Sequence, residues 1–557
     1  MLEKLSANQR LMLAVALSVI FFVGYTAIVP PIEPENKVID AKSIQNNSSA
    51  SQMQSSSNMQ DIITHDISEK EKYGSDDKSV IVTVTNKDYI LKVDTLGRIS
   101  SKELLQDKFK TKEDQHAQLI STTGMKPLFL RFLDEALNSE AMSVAYTADV
   151  RELTLDGVAK KVILTQKLST LTVTKELTFY DDGHYDAKVS LSQDKRYFIY
   201  LGQRPKVNET EQMMTVTGAM IFTDDEIATI IEDGDAEGRK TFSGVELVSA
   251  FDQYSATIMY GFAKDTNIIV ERDRDDNPVV YFDALQIMAF SGYVGQKEYK
   301  VLKNIKPILT NAIEYGWFTF ASRPLFQLLS WLHGIFGNWG WSIIALTLMI
   351  RAVLYPLTYK GMMSMQKIKA ISPQIKEIQA KYKSDPQRMN KAVMDMYKKH
   401  NANPLGGCLP MLLQIPVFFA IYRVLLNAVE LQGAPWIMWV TDLSRMDEFY
   451  VLPILMGASM FYQQRLTPTN FTDPIQEKVF KYLPVIFTFF FLTFPSGLVL
   501  YWFVNNIFSI MQQFVVNTQF KNAQDAQIAL SKHAIKEEHK EEVKAKQLEK
   551  KSGKNDD

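Results

Sequence analysis

The sequence predicts a polytopic α-helical membrane protein with six transmembrane helices and a large all-β domain outside the cytoplasm. Three observations carry that expectation. Apolar runs occur at Leu11–Val29 and at five places between Trp339 and Phe514. The intervening stretch alternates apolar and polar residues with period two, as half-buried strands do. The loops between the later runs differ in charge, which sets the side of the membrane a loop occupies. A net charge of −2 and a mean hydropathy of −0.10 conceal all this, because they average greasy segments with polar ones.

The first run is 19 residues long, more than a signal-peptide core, and no clear small-residue cleavage site follows it. Residues 1–30 are therefore expected to form an uncleaved anchor, with Lys4 and Arg10 on the cytoplasmic side. Residues 31–75 contain SIQNNSSASQMQSSSNMQ, which has too little apolar surface to fold and reads as a flexible linker.

Residues 76–315 read as a β-sandwich domain. SVIVTVTNKDYILKVDTLGRI and LTVTKELTFYDDGHYDAKVSLS show the alternation, the second with Asp182-Gly183 as a hairpin turn. His184 beside Asp181 and Asp182 reads as part of that turn rather than as a catalytic group. Residues 316–338 follow as an amphipathic interfacial helix, with Leu325, Leu328, Leu329, Leu332 and Phe336 on one face.

The five later spans are placed at about Trp339–Leu357, Leu409–Val429, Phe449–Tyr462, Tyr482–Phe494 and Leu498–Phe514. Between Lys360 and His400 ten Lys or Arg face three Asp or Glu; between Glu430 and Glu448 one basic residue faces four acidic ones. The first loop is thereby cytoplasmic and the second external, so both termini lie inside. Phe449–Tyr462 and Tyr482–Phe494 are short, since about 20 residues are needed to cross. Either flanking residues extend them or the bilayer thins around them. Residues 361–403 form a basic helical hairpin broken at Ser384-Asp385-Pro386, and 517–557 a solvated or loosely helical cytoplasmic tail.

Arg351 stands inside the second span. At mid-helix an arginine costs about 2.5–3.5 kcal/mol on insertion scales. Two readings are open: its stem snorkels to the headgroups, or the charge faces a wet cavity. Thr347 on its own face, Gln414 in the third span, and Trp502, Asn505 and Asn506 in the sixth favour the cavity. No intramembrane carboxylate is available to pair it, so an acid from outside could complete the site. Arg423 lies nearer the outer face and reads as structural. Cys408 is the lone cysteine, which rules out an intramolecular disulfide framework, and it reads as a small buried side chain.

NWGWSIIALTLMIRAVLYPLT, NPLGGCLPMLLQIPVFFAIY, APWIMWVTDLS, YVLPILMGASMF and YLPVIFTFFFLTFPSGLVLYWFVNN together resemble the YidC/Oxa/Alb family of membrane protein insertases, in its Gram-negative form. The match lies in a five-helix core at 339–516. The resemblance implies a periplasmic β-supersandwich and residence in the inner membrane. It also implies a hydrophilic groove around Arg351, open to cytoplasm and lipid and closed toward the periplasm. It places Thr347, Gln414 and Trp502 in that groove. Trp502 stands where a tyrosine is expected, and Arg423 where an uncharged residue is.

The expected function is to insert and help fold nascent inner-membrane proteins, alone or with the Sec translocon. A client's acidic or polar tail enters the groove toward Arg351, while its apolar segment slides along Ile415, Phe418, Phe487 and Phe490. The hairpin and tail are candidate contacts for the ribosome, the signal recognition machinery and anionic lipid. No enzymatic activity, metal or cofactor is expected, since there is no GxxxxGK[ST] and no clustered His/Cys set. The alternatives are a small-solute or anion transporter with Arg351 as its binding charge, and a membrane-anchored sugar-processing enzyme.

Overall fold

The computed structural model describes residues 80–552, apart from 112–113, 123, 207–214, 316–318, 401, 403–408 and 467–473. The expected N-terminal anchor, the linker and Cys408 lie outside the described residues. The described residues divide into two units, one holding those up to Thr319 with Arg423–Ala434, the other Phe320–Tyr422 with Pro435 onward.

The first unit is built from sheets of nine, five and four strands. Period-two alternation becomes burial directly: in strand Thr172–Phe179 every second residue, from Val173 to Phe179, faces the core. That strand pairs antiparallel with His184–Leu191 through the expected turn, where Gly183 takes φ +87°. His184 stacks on Tyr180 at 4.0 Å and bonds Asp182 within the same turn. The alternation also points two lysines inward. Lys102 Nζ donates to Gly183 O and Val294 O, and Lys175 Nζ to Gly97 O and Leu128 O. Burial pushes both ammonium groups down to about 7.

Helices α1 (Glu135–Ser143) and α2 (Tyr299–Ile305) also belong to this unit. The segment Arg423–Ala434 is bound into it by polar contacts. Gln253 Nε2 donates to Leu426 O at 2.9 Å, Asn427 Nδ2 to Glu314 O at 3.0 Å, and Tyr299 N to Glu430 Oε1 at 2.9 Å. Arg423 lies 3.8 Å from the buried Glu314 carboxylate, so it has an acidic partner in addition to any reach toward water.

The second unit is helical: α3 (Thr319–Phe336), α4 (Trp339–Lys381), α5 (Pro386–Lys399), α6 (Leu409–Asn427, its end from Arg423 counted with the first unit), α7 (Val451–Leu466), α8 (Pro474–Phe491) and α9 (Ser496–Ser552). Among the described residues two helices are long and apolar enough to cross a membrane, Trp339–Lys381 and Ser496–Leu530; Gln414–Asn427 and Phe480–Phe491 are shorter apolar pieces. The second span does not stop at Leu357 but runs on as one 43-residue helix into the hairpin. Its continuation packs Ile371 and Ile375 against Val393, Met396 and Tyr397, so the two expected apolar stripes cover each other. The tail likewise continues the last apolar run, as a single helix of 57 residues, Ser496–Ser552. Where the two short spans are expected, α7 runs for 16 residues and α8 for 18, the residues α8 adds before Tyr482 including Lys478 and Lys481.

In α3 Ser322, Phe326, Leu329 and Leu332 are buried and Phe336 is exposed. Ser322 Oγ donates to Ala420 O of α6 at 3.1 Å, a close approach that its small side chain permits.

Candidate functional site

α4 is started by Asn338, whose side chain accepts from Trp341 N at 3.1 Å, and its apolar run then carries Arg351 into the bundle. α9 brings Asn505 and Ser509 alongside, four residues apart and so on one face. Arg351 Nε donates to Asn505 Oδ1 at 2.7 Å; one terminal nitrogen donates to Ser509 Oγ at 2.6 Å and to Asn505 O at 3.2 Å. Among the described residues these partners are all neutral. The positive charge is oriented but not cancelled.

Arg351 opens onto a half-open cavity of about 430 Å³ lined by α4, α6, α7, α8 and α9. Gln414, Ile415, Phe418, Trp502, Asn505 and Asn506, all expected at the site, line it together. Asn506 Nδ2 reaches Ser459 Oγ on α7 at 3.1 Å. Trp502 sits among Phe418, Phe487 and Phe491, with ring centroids 4.8, 6.3 and 5.3 Å away. Its indole N–H has no hydrogen-bond partner among the described residues. The neighbouring Tyr501, buried and not among the lining residues, accepts from Gln414 Nε2 at 3.2 Å.

Thr347 is placed apart from the others. It is buried, its hydroxyl donates to Ile343 O at 2.7 Å within its own helix, and it does not line the cavity. Phe487 and Phe490 belong to α8, beside Val485, Ile486 and Phe489, whose side chains face outward.

Several lining residues were not anticipated. Ser509 and Gln513 continue the polar stripe of Asn505 along α9, at a spacing of four that the sequence displays. Met362, Met365 and Met460, with Gln463 and Gln464, line the part of the cavity nearer the hairpin. Gln512 Nε2 donates to Thr358 Oγ1 at 2.7 Å and ties α9 to α4 there. The result is a pocket with flexible thioether and amide walls, one oriented cation, and an aromatic side. Chemically it suits an anionic or polar group on an otherwise apolar chain.

Two family models match the chain, one described as the 60Kd inner membrane protein over residues 331–524 and one as the YidC periplasmic domain over residues 81–328. Over 519 residues the chain is 44% identical to the membrane protein insertase YidC of Wolinella succinogenes, covering 92% of this chain and 96% of that one. The corresponding protein of Campylobacter jejuni is 45% identical over 515 residues, at 92% and 96% coverage. That of Helicobacter pylori is 40% identical over 550 residues, covering 94% and 98%.

Proposed function

The chain belongs to the family of YidC membrane protein insertases, and from that premise we propose that the cavity around Arg351 is where a client's polar tail is received. The protein is a membrane protein insertase of the inner membrane with a periplasmic β-rich domain, and nascent membrane proteins are its substrates. It crosses the membrane six times with both termini in the cytoplasm. It works alone or together with the Sec translocon. The hairpin and tail meet the ribosome, the signal recognition machinery and anionic lipid.

One observation carries the reading of the cavity: Arg351 is held by two neutral side chains, Asn505 and Ser509, so its charge is left for a client. An acidic tail drawn in from the cytoplasm supplies the missing partner. The client's apolar segment meanwhile lies against Ile415, Phe418, Phe487 and Phe490. The free energy comes from burying that segment in lipid and from the membrane potential, about 2.3 kcal/mol per charge at 100 mV. Thr347 supports the packing of α4 rather than the binding of the tail.

The test is insertion into proteoliposomes of a single-span client carrying either a short acidic tail or a long basic one, scored by protection from external protease. The acidic tail should be protected and the basic one left accessible. Equal protection of both overturns the reading.

A further inference from the structure

The cavity does not continue to the start of α9. From Arg351 back to Ile343 on α4, and from Asn505 back to Gly497 on α9, eight residues correspond to about 12 Å at 1.5 Å per residue. In that interval Ile343, Leu346, Leu498, Val499, Leu452 and Met456 are all buried to within 1% exposure, a dry layer shared by α4, α7 and α9.

Beyond the dry layer lies a loop that is stitched down rather than merely resting there. Ser496 N and Ser496 Oγ both donate to Arg445 O, at 2.7 and 2.8 Å, and Gly497 N donates to Leu443 O at 2.8 Å. Met446 and Pro495 face each other across an antiparallel bridge. The loop is held in that shape by Asp447, which is only 4% exposed. Its Oδ2 accepts from Leu452 N at 2.7 Å and from Trp439 Nε1 at 3.3 Å, and its Oδ1 from Phe449 N at 3.1 Å. Leu443, completely buried, is the apolar underside of the same loop.

We propose that residues 439–447 form a strap closing the outer end of the groove, with Asp447 as its positioning residue, and that the strap parts from Ser496 and Gly497 when a client's tail passes. This rests on the reading of the groove as the client's receiving site. The stitches are two backbone hydrogen bonds and one from the Ser496 hydroxyl, all of ordinary length and each worth about 0.5–1.5 kcal/mol net, so the set can be exchanged for bonds to a passing peptide.

The test locks the strap. Met446→Cys and Pro495→Cys are introduced in a Cys408→Ser background, at facing positions of an antiparallel bridge, where Cα atoms lie about 4.5–5.5 Å apart and a disulfide can form. Oxidised protein should insert an acid-tailed client at least about tenfold more slowly than wild type. A reductant should restore the rate, and the client's tail should still photocross-link to the cavity. Equal insertion by oxidised and reduced protein overturns the strap, since the tail then takes another path. Loss of the client's cross-link to the cavity in both oxidised and reduced protein would strike the groove reading itself. An independent variant, Asp447→Asn, keeps the side chain's size but leaves one acceptor oxygen for three donors. It should make proteoliposomes leaky to protons by a pH-sensitive dye, and tightness equal to wild type contradicts the role given to Asp447.

Discussion

Arg351 Nε and Asn505 Oδ1 are 2.7 Å apart, and the bond joins a permanent charge on α4 to a neutral amide on α9. The bond orients the guanidinium without neutralising it, because an amide oxygen carries no net charge to set against it. Had residue 505 been an aspartate, the chain would hold its own counter-ion and the cavity would offer little to an acidic client. Most of the site's character turns on that one choice of side chain.

Asn505→Asp tests it directly, since the two side chains have nearly the same shape. The new carboxylate should pair with Arg351, so the protein should fold and resist heat at least as well as wild type. Insertion of an acid-tailed client should fall by about tenfold or more, equivalent to about 1.4 kcal/mol. Measuring both thermal unfolding and insertion separates competition for the charge from loss of structure.

Helices α7 and α8 depend on close approach. A Cβ added at Gly457 on α7 would collide with Thr488 Oγ1 on α8. Small residues at such crossings let membrane helices pack by van der Waals contact. Gly457→Ala should therefore push α7 and α8 apart and cost about 1–3 kcal/mol, the range for overpacked sites. Detergent-resistant unfolding by circular dichroism should show it, and a full-length Gly457→Ala protein as stable as wild type would contradict the contact.

In the β-rich unit the prediction concerns pH. Lys102 is wholly enclosed, and burial lowers its ammonium from 10.5 to about 7. Between about 7 and 10.5 the unfolded chain binds a proton at this position that the folded chain does not. Stability therefore rises with pH through that window, by up to about 1.4 kcal/mol per pH unit, and is at its lowest below it. Lys102→Met removes its share of that slope and leaves the share of Lys175. Hydrogen exchange of strand Ile99–Leu104 in the intact protein, compared at pH 7 and pH 9 after correction for intrinsic rates, should show wild type gaining protection and the variant gaining less.

The parts of this molecule written as periodicity were legible in the sequence. Alternation located the strands around Asp182-Gly183, and the basic loop with its Ser384-Asp385-Pro386 break located the hairpin between α4 and α5. Arg351, Gln414, Asn505 and Asn506 stood out because polar side chains are costly inside apolar runs. Ser509 did not, because a serine in a membrane helix usually bonds its own backbone and so carries little signal. Thr347 illustrates the opposite error: the i, i+4 rule put it on the face of Arg351, yet one turn further along α4 the bundle is already dry. Ser322 of α3 reaches a carbonyl of another helix, which no pattern within α3 contains. Met362, Met365 and Met460 were invisible for a different reason, since an apolar side chain lining a cavity has the same sequence signature as one facing lipid.

The most direct measurement compares wild type, Arg351→Lys and Arg351→Ala in proteoliposomes, each given the same single-span client with an acidic tail and with a neutral one. If the arginine receives the client's charge, Arg351→Ala should lose insertion of the acid-tailed client by about tenfold or more, Arg351→Lys should keep part of it, and the neutral-tailed client should insert equally in all three. Equal insertion of the acid-tailed client by wild type and Arg351→Ala would contradict the central claim and leave Arg351 as a charge that only ties α4 to α9.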